Sequence, residues 1–383
     1  LPIYLTFAGA SSHNNKSSLN YGFQGDFSKK INDKNILRVG FYATNNVVAE
    51  QNRTLTFLGD EHGQSSILPN SYFDNSKKST QLYSLYLQNE FKPIKDLTLN
   101  GGLRFDGVNS AINANHLSPR FNSVYKFNEK VKIHAGYSRF FTAPRAEIMS
   151  NLNIRKFEGT VNAPENFNNN RVRPEKTDYY NAGIGFQPTK ELHFTVDGYY
   201  KRIDEMLDEG QFGKALIFKP FNFEKAKVHG IELSADYKVK NLSSFANVAF
   251  QKAQALHINS GQYLHENTEI NYSKGNYLNP DHAQNITSSA GLAYKIAKTK
   301  TNLGFDVLYG SGLRRGEANT KKMPSYSQLN IFAVQNIKDF NFRLSINNVL
   351  DKKYALRDGS GIGVKSAQFA PRRSAYLILS REF

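Results

Sequence analysis

Residues 97–105 read Leu97-Thr98-Leu99-Asn100-Gly101-Gly102-Leu103-Arg104-Phe105. An extended chain points successive side chains to opposite faces, so Leu97, Leu99, Gly101, Leu103 and Phe105 share one side. Thr98, Asn100, Gly102 and Arg104 share the other. The pattern predicts a strand with one greasy face and one wet face. It recurs along the chain. Val131, Ile133, Ala135 and Tyr137 oppose Lys132, His134, Gly136 and Ser138. Ile231, Leu233, Ala235 and Tyr237 oppose Glu232, Ser234, Asp236 and Lys238, and Phe342, Leu344 and Ile346 oppose Arg343, Ser345 and Asn347.

About sixteen such strands can be marked, near 2–9, 18–28, 36–44, 79–92, 96–107, 118–127, 130–140, 178–187, 191–203, 226–239, 243–253, 284–295, 301–311, 326–336, 341–350 and 373–383. The connections alternate in length. Short ones fall at 93–96, 128–130, 188–191, 240–241, 296–301 and 337–339, and long ones at 45–78, 141–177, 204–225, 254–283, 312–325 and 351–372. A sandwich would not sort its loops so cleanly, and no blade-like repeat of a propeller is present. The expectation is an all-β, transmembrane, antiparallel up-and-down β-barrel with short turns at one end and long extracellular loops at the other. No composition break divides the chain, so residues 1–383 are read as one domain.

Composition agrees. Mean hydropathy is only -0.54, yet the chain carries 21 Tyr and 28 Phe. Barrel strands average out as hydrophilic because every second residue is polar. No apolar run is long enough for a transmembrane helix. With no cysteine, disulfides and thiolate metal sites are excluded. The net charge of +16 attracts anions of any kind, but Lys and Arg are scattered, which argues against a nucleic-acid surface. No signal peptide is visible at Leu1-Pro2-Ile3-Tyr4, a stretch that reads as mid-strand.

Five segments resemble the TonB-dependent outer-membrane receptor family. Arg173-Pro174-Glu175-Lys176-Thr177 with Tyr180-Asn181-Ala182-Gly183 is similar to its "L-x-P-E … Y-E-x-G" stretch. Val228-His229-Gly230-Ile231-Glu232-Leu233 resembles "x-x-G-V-E-L", and Tyr309-Gly310-Ser311-Gly312-Leu313-Arg314 resembles "Y-G-S-G-L-R". Asn348-Val349-Leu350-Asp351-Lys352-Lys353-Tyr354 is similar to "N-[LV]-[FL]-D-[KR]-x-Y", and Ala370-Pro371-Arg372-Arg373 to "x-P-R". The physical reading of these residues is structural: Gly230 opens a strand where a Cβ would interfere, Asn348 and Asp351 bond freed backbone N–H groups, and Pro371 ends a loop.

The resemblance implies a Gram-negative outer-membrane location and a barrel of about twenty-two strands with a plug inside. It also implies active import of a small metal chelate, most readily a ferric siderophore, without enzymatic chemistry. The implied partners are outer-membrane lipid and lipopolysaccharide, the barrel-assembly machinery, and the TonB energy-coupling protein through an N-terminal region. Neither plug nor coupling box is visible between Leu1 and Phe383, so the chain reads as the C-terminal barrel portion. A passive porin-like channel, a haem or cobalamin receptor and an adhesin-type barrel are the alternatives. Leu377, Leu379 and the terminal Phe383 fit a barrel-assembly signal, although position 381 is Arg, where the family usually carries an apolar or aromatic residue.

Nothing reads as catalytic, and no resident cofactor or metal site is expected. Gly359-Ser360-Gly361-Ile362-Gly363 lacks nucleotide-loop spacing and reads as a flexible loop. His62, His116, His257, His265 and His282 fall in expected loops, and a single imidazole such as His265 could ligate haem iron. Arg314, Arg315, Arg357, Arg372 and Arg373, with Tyr309 nearby, lie in the last two long loops. Their guanidinium forks could hold an anionic siderophore, clamp lipopolysaccharide phosphate, or do neither.

Overall fold

The computed structural model describes residues 10–57, 64, 68–110, 112–144, 154–160, 163–212, 218–363, 365 and 367–381. Alternation does what the sequence predicts. The strands in chain order are β1 (Ala10–Asn32), β2 (Asn35–Thr56), β3 (Asn70–Ile94), β4 (Leu97–Asn109), β5 (Asn113–Lys126), β6 (Val131–Thr142), β7 (Glu175–Phe186), β8 (Leu192–Gln211), β9 (Phe218–Val239) and β10 (Leu242–Ile258). They continue with β11 (Ile286–Lys295), β12 (Asn302–Gly310), β13 (Arg314–Arg315), β14 (Lys321–Lys322), β15 (Tyr326–Ile337), β16 (Phe340–Asn347), β17 (Ala355–Asp358), β18 (Ala367–Phe369) and β19 (Ser374–Arg381). Fifteen form one sheet in the order β1 to β12, β15, β16, β19, and every neighbouring pair is antiparallel. The pairs β13–β14 and β17–β18 are small loop hairpins. Each expected strand from 18–28 onward has its counterpart. The one expected at 2–9 lies outside the described residues.

The register carries the greasy face across the whole sheet. Phe27, Val39, Leu87, Leu103 and Pro119 form one row, and Phe305, Ile331, Ile346 and Ala375 another. Most of these side chains are exposed, among them Phe27, Leu87, Leu103, Phe305 and Ile331. A wall of exposed Leu, Ile and Phe is a liability in water and a requirement in lipid. The opposite face is tied by polar contacts: Arg38 to Glu90 at 3.1 Å, Arg104 to Asp106 at 2.7 Å, and the Tyr86 hydroxyl donating to Asp26 at 2.6 Å.

Two expectations about the loops are corrected. The segments 45–78 and 204–225 are largely strand, because β2 and β3 extend far past the apolar belt and β8 and β9 pair out to Gln211 and Phe218. Apolar alternation stops where lipid stops, whereas the ladder of hydrogen bonds does not. Gly230 lies in mid-strand, not at a strand opening. A Cβ there would stand 2.6 Å from the Phe250 carbonyl and 2.8 Å from the Tyr199 hydroxyl.

The hydrophobic core sits at the loop end, outside the belt. Phe157, Phe212, Phe221, Phe223, Ile258, Leu264, Leu278, Ala318 and Ile362 are buried together, so four long connections and the β8–β9 hairpin share one small core. Phe157 stacks on Tyr72 with ring centroids 4.5 Å apart, which brings in the β2–β3 hairpin too. The helix α1 (Asn267–Gly275) packs here through Ile270.

Candidate ligand site in the loop cluster

The long loops converge on Asp281, a carboxylate that is almost fully buried. Its Oδ2 lies 3.0 Å from Arg357 Nε and its Oδ1 2.9 Å from His282 Nδ1. Its carbonyl accepts the Arg314 N–H at 3.0 Å. One residue therefore joins the 259–285, 311–325 and 348–373 connections. Gly363, whose carbonyl accepts the Gln211 N–H at 3.0 Å, approaches so closely that a Cβ would stand 2.5 Å from Asp281 Oδ2. Beside this hub is a cavity of about 440 Å3 lined by Glu175, Leu207, Asp208, Pro220, His282 and Arg357, among others. Burial pushes Asp208 up to about 6, and the bond to Asp281 raises His282 above its ordinary value.

The expected arginines divide. Arg314 is buried and donates to Asn285 Oδ1 at 2.8 Å, while Arg357 is committed to Asp281. Arg372 forms a bidentate pair with Asp351, whose other bond is from the Arg373 N–H at 3.0 Å. These bonds pull the Asp351 carboxyl down to about 2. Arg315 and Arg373 present exposed side chains. The structure thus sets Arg357 on the Asp281 carboxylate, holds the Arg314 backbone N–H at the Asp281 carbonyl, and brings Arg372 and the Arg373 N–H to the Asp351 carboxylate.

Other expected site residues change character. Tyr309 follows Phe305 and Val307 on the apolar face, between Ser288 and Ser327, so it points away from the wet side. His265 is 3% exposed and packs edge-on against Phe221 at 4.5 Å. Burial holds its imidazole down at about 3 and therefore neutral. His116 lies in β5 and His257 in β10, where His257 pairs with Glu224 at 2.5 Å; His62 is outside the described residues. The glycine-rich 359–363 segment is pinned, with Ile362 in the core and its carbonyl accepting Asn319 Nδ2 at 2.9 Å. Among the described residues no group of His, Asp and Glu could hold a metal ion.

The sequence motifs act as fasteners. Glu175 accepts the Leu207 N–H at 3.0 Å, and Ser311 Oγ accepts the N–H of Ile286 at 3.0 Å. Asn348 is 1% exposed at φ 51; its side chain donates to the carbonyls of Lys352 and Pro371 and accepts the Lys352 N–H. Leu377 and Leu379 extend the apolar face opposite Leu344 and Phe342, while Phe383 lies outside the described residues. Asp208 and Asp281 were missed by sequence reading, because nothing local marks an acid that matters through burial.

The geometry now meets known proteins. The family model "TonB dependent receptor-like, beta-barrel" matches residues 3–349. Among solved structures, the chain is similar to the FrpB iron transporter from Neisseria meningitidis (16% identity, TM-score 0.66, 96% of this chain and 55% of that one). It is likewise similar to the ferric citrate transporter FecA (16%, 0.67, 96% and 55%) and to the ferric yersiniabactin uptake receptor FyuA from Yersinia pestis (11%, 0.69, 98% and 55%). The chain spans little more than half the length of these structures. No curated protein matches it. At such identities the structures speak for the fold, and the family model speaks for membership: this chain belongs to the TonB-dependent receptor β-barrel family, whose members are transporters and not enzymes.

Proposed function

We propose that residues 1–383 serve as one barrel domain of an outer-membrane receptor that imports a metal chelate, most readily an anionic ferric siderophore. The observation that carries this reading is the loop core of Phe157, Phe221, Leu264 and Ile362, which builds an ordered assembly at one end of a polar-faced wall. A passive channel needs an open mouth; a receptor needs fixed side chains there. In this reading the loop end faces the medium and the short turns face the periplasm. Energy coupling runs through TonB by way of a plug supplied from elsewhere in the protein, and insertion uses the barrel-assembly machinery.

The exposed Arg315 and Arg373 are the residues left to meet an anionic chelate, with Arg357 and His282 at the neighbouring cavity. Guanidinium groups suit carboxylate and catecholate oxygens. The test is uptake of radiolabelled ferric chelates by cells carrying the full-length protein, with and without a proton-motive force. Energy-dependent uptake of an anionic chelate, reduced in an Arg315→Ala/Arg373→Ala double variant, is expected. Uptake indifferent to energy and to both arginines would replace this reading with the channel.

A further inference from the structure

On the wet face of β5 to β8 aromatic rings interrupt the polar pattern. The register sets Arg120, Ser138, Tyr179 and Lys201 in one row. Phe140 and Tyr199 flank that row on the same face, because they lie two residues from Ser138 and Lys201. Phe140, Tyr179 and Tyr199 form a strip with ring centroids 6.2 and 6.4 Å apart. The Arg120 guanidinium lies over Phe140 at 5.8 Å, and the Lys201 ammonium over Tyr179 and Tyr199 at 5.5 and 5.8 Å. A phenylalanine 42% exposed among polar neighbours gains little from burial and leaves much of its ring open to a partner.

The two cations are left over. Among the described residues neither Arg120 nor Lys201 is bonded to a carboxylate. The acids of this face are engaged elsewhere: Asp106 with Arg104 at 2.7 Å, Asp197 with His134 at 3.0 Å, and Glu205 with Arg173 at 2.7 Å. Glu232 stands opposite Asp197, two wet-face rows from Lys201 towards the turns. Arg120 Nε and the Oγ of Ser118, two residues along β5, are buried donors without a partner. The ladder between β5 and β6 ends beside them, at Arg120 and Ser138, next to Pro119, which has no N–H to give. The strip also lies in line with the loop cavity. Thr142 and Glu175, which line that cavity, pair with each other two rows above Ser138 and Tyr179, about 13 Å away along the strands.

Cations at both ends of an aromatic strip suit a flat ring that carries negative oxygen. The ring stacks on Phe140 and Tyr179, and the oxygens take the N–H groups of Arg120 and Lys201. A carboxylate without a ring would use only the cations, and a neutral ring only the stack. We propose that this strip binds a planar aryl oxyanion and so offers the imported chelate a second seat on the inner wall, below the loops. The proposal rests on the receptor reading above and narrows the anionic chelate to one with aromatic arms.

The experiment uses the full-length protein in detergent, with the loop arginines already replaced (Arg315→Ala/Arg373→Ala), and takes salicylate, acetate and phenol as probes. Ligand-detected NMR titrations at neutral pH give the affinities. Salicylate should bind at least about tenfold more tightly than acetate or phenol. Lys201→Gln should weaken salicylate binding on the order of fivefold, and Arg120→Gln/Lys201→Gln on the order of fiftyfold. Phe140→Leu/Tyr179→Leu should cost salicylate about fivefold and leave acetate unchanged, a split that general damage to the wall would not produce. Lys132→Gln, on the same face near the turns, should bind normally. Should a double variant not fold, Lys201→Gln decides. Unchanged salicylate affinity in the wall variants, or acetate bound as tightly as salicylate, overturns the proposal. Chelate uptake by cells carrying the wild-type protein separates the two readings. Salicylate binding without any energy-dependent uptake refutes the transport proposal alone, and energy-dependent uptake with no salicylate bound refutes the aromatic seat alone.

Discussion

Placing one arginine on either face of β16 tests the membrane reading most directly. Leu344 is the fifth of eight residues in this strand, 46% exposed, and flanked in register by Ala333 and Leu377 on the apolar face. Ser345, its neighbour, looks the other way, between Phe332 and Tyr376, and its Oγ accepts Arg343 Nε at 3.2 Å. In Leu344→Arg a cation enters hydrocarbon near mid-height, at a cost of about 2–4 kcal/mol. Ser345→Arg loses one hydrogen bond and sets two like charges on one face, about 1–2 kcal/mol. In a folding equilibrium the first cost corresponds to roughly a 30- to 1000-fold loss. Folding into liposomes, titrated with urea and read by the heat-dependent shift in gel mobility, measures both. Leu344→Arg should be the more harmful, by about 1.5 kcal/mol at the midpoints of the two ranges. If Ser345→Arg is equally or more harmful, the face assignment of the whole sheet is wrong, since the register links every strand to this one.

Other outcomes follow from the loop end. Asn348→Ala removes three side-chain bonds and leaves a non-glycine residue at φ 51, so stability in urea should fall by about 2–4 kcal/mol. Asp281→Ala takes the partner from Arg357 and His282; external protease should then cut within 254–283 and 351–372 of intact cells far faster than in the wild type. Asp208 ionises at about 6 instead of 3.8, so the folded state binds more protons than the unfolded state in between. The Asp208 contribution to stability is therefore greatest below that window and declines, by at most about 3 kcal/mol, as pH rises through it. The raised His282 adds to this in the same direction at higher pH, because its contribution is complete below 6.5 and is lost as it deprotonates. Hydrogen exchange in the loop core, corrected for intrinsic rates, should be slower at pH 5 than at pH 8, and Asp208→Asn should flatten the lower part of the profile.

What the sequence determined by itself was the wall. A period of two is a property of the backbone, so Leu97 to Phe105 announce their faces before any partner strand is known, and short turns such as Lys240-Asn241 join strands that can only be antiparallel neighbours. The family motifs were legible for the same reason, as fixed local spacings. Tertiary structure decided what happens beyond the belt. Whether Arg314 and Arg357 are free to meet a ligand depends on Asp281 and Asn285, which come from another loop. The glycine-rich 359–363 stretch has the composition of a flexible loop, yet Ile362 is held in a core assembled from residues as distant as Phe157 and Phe221. Local geometry is written residue by residue, whereas burial and charge pairing are sums over neighbours that only the folded chain brings together.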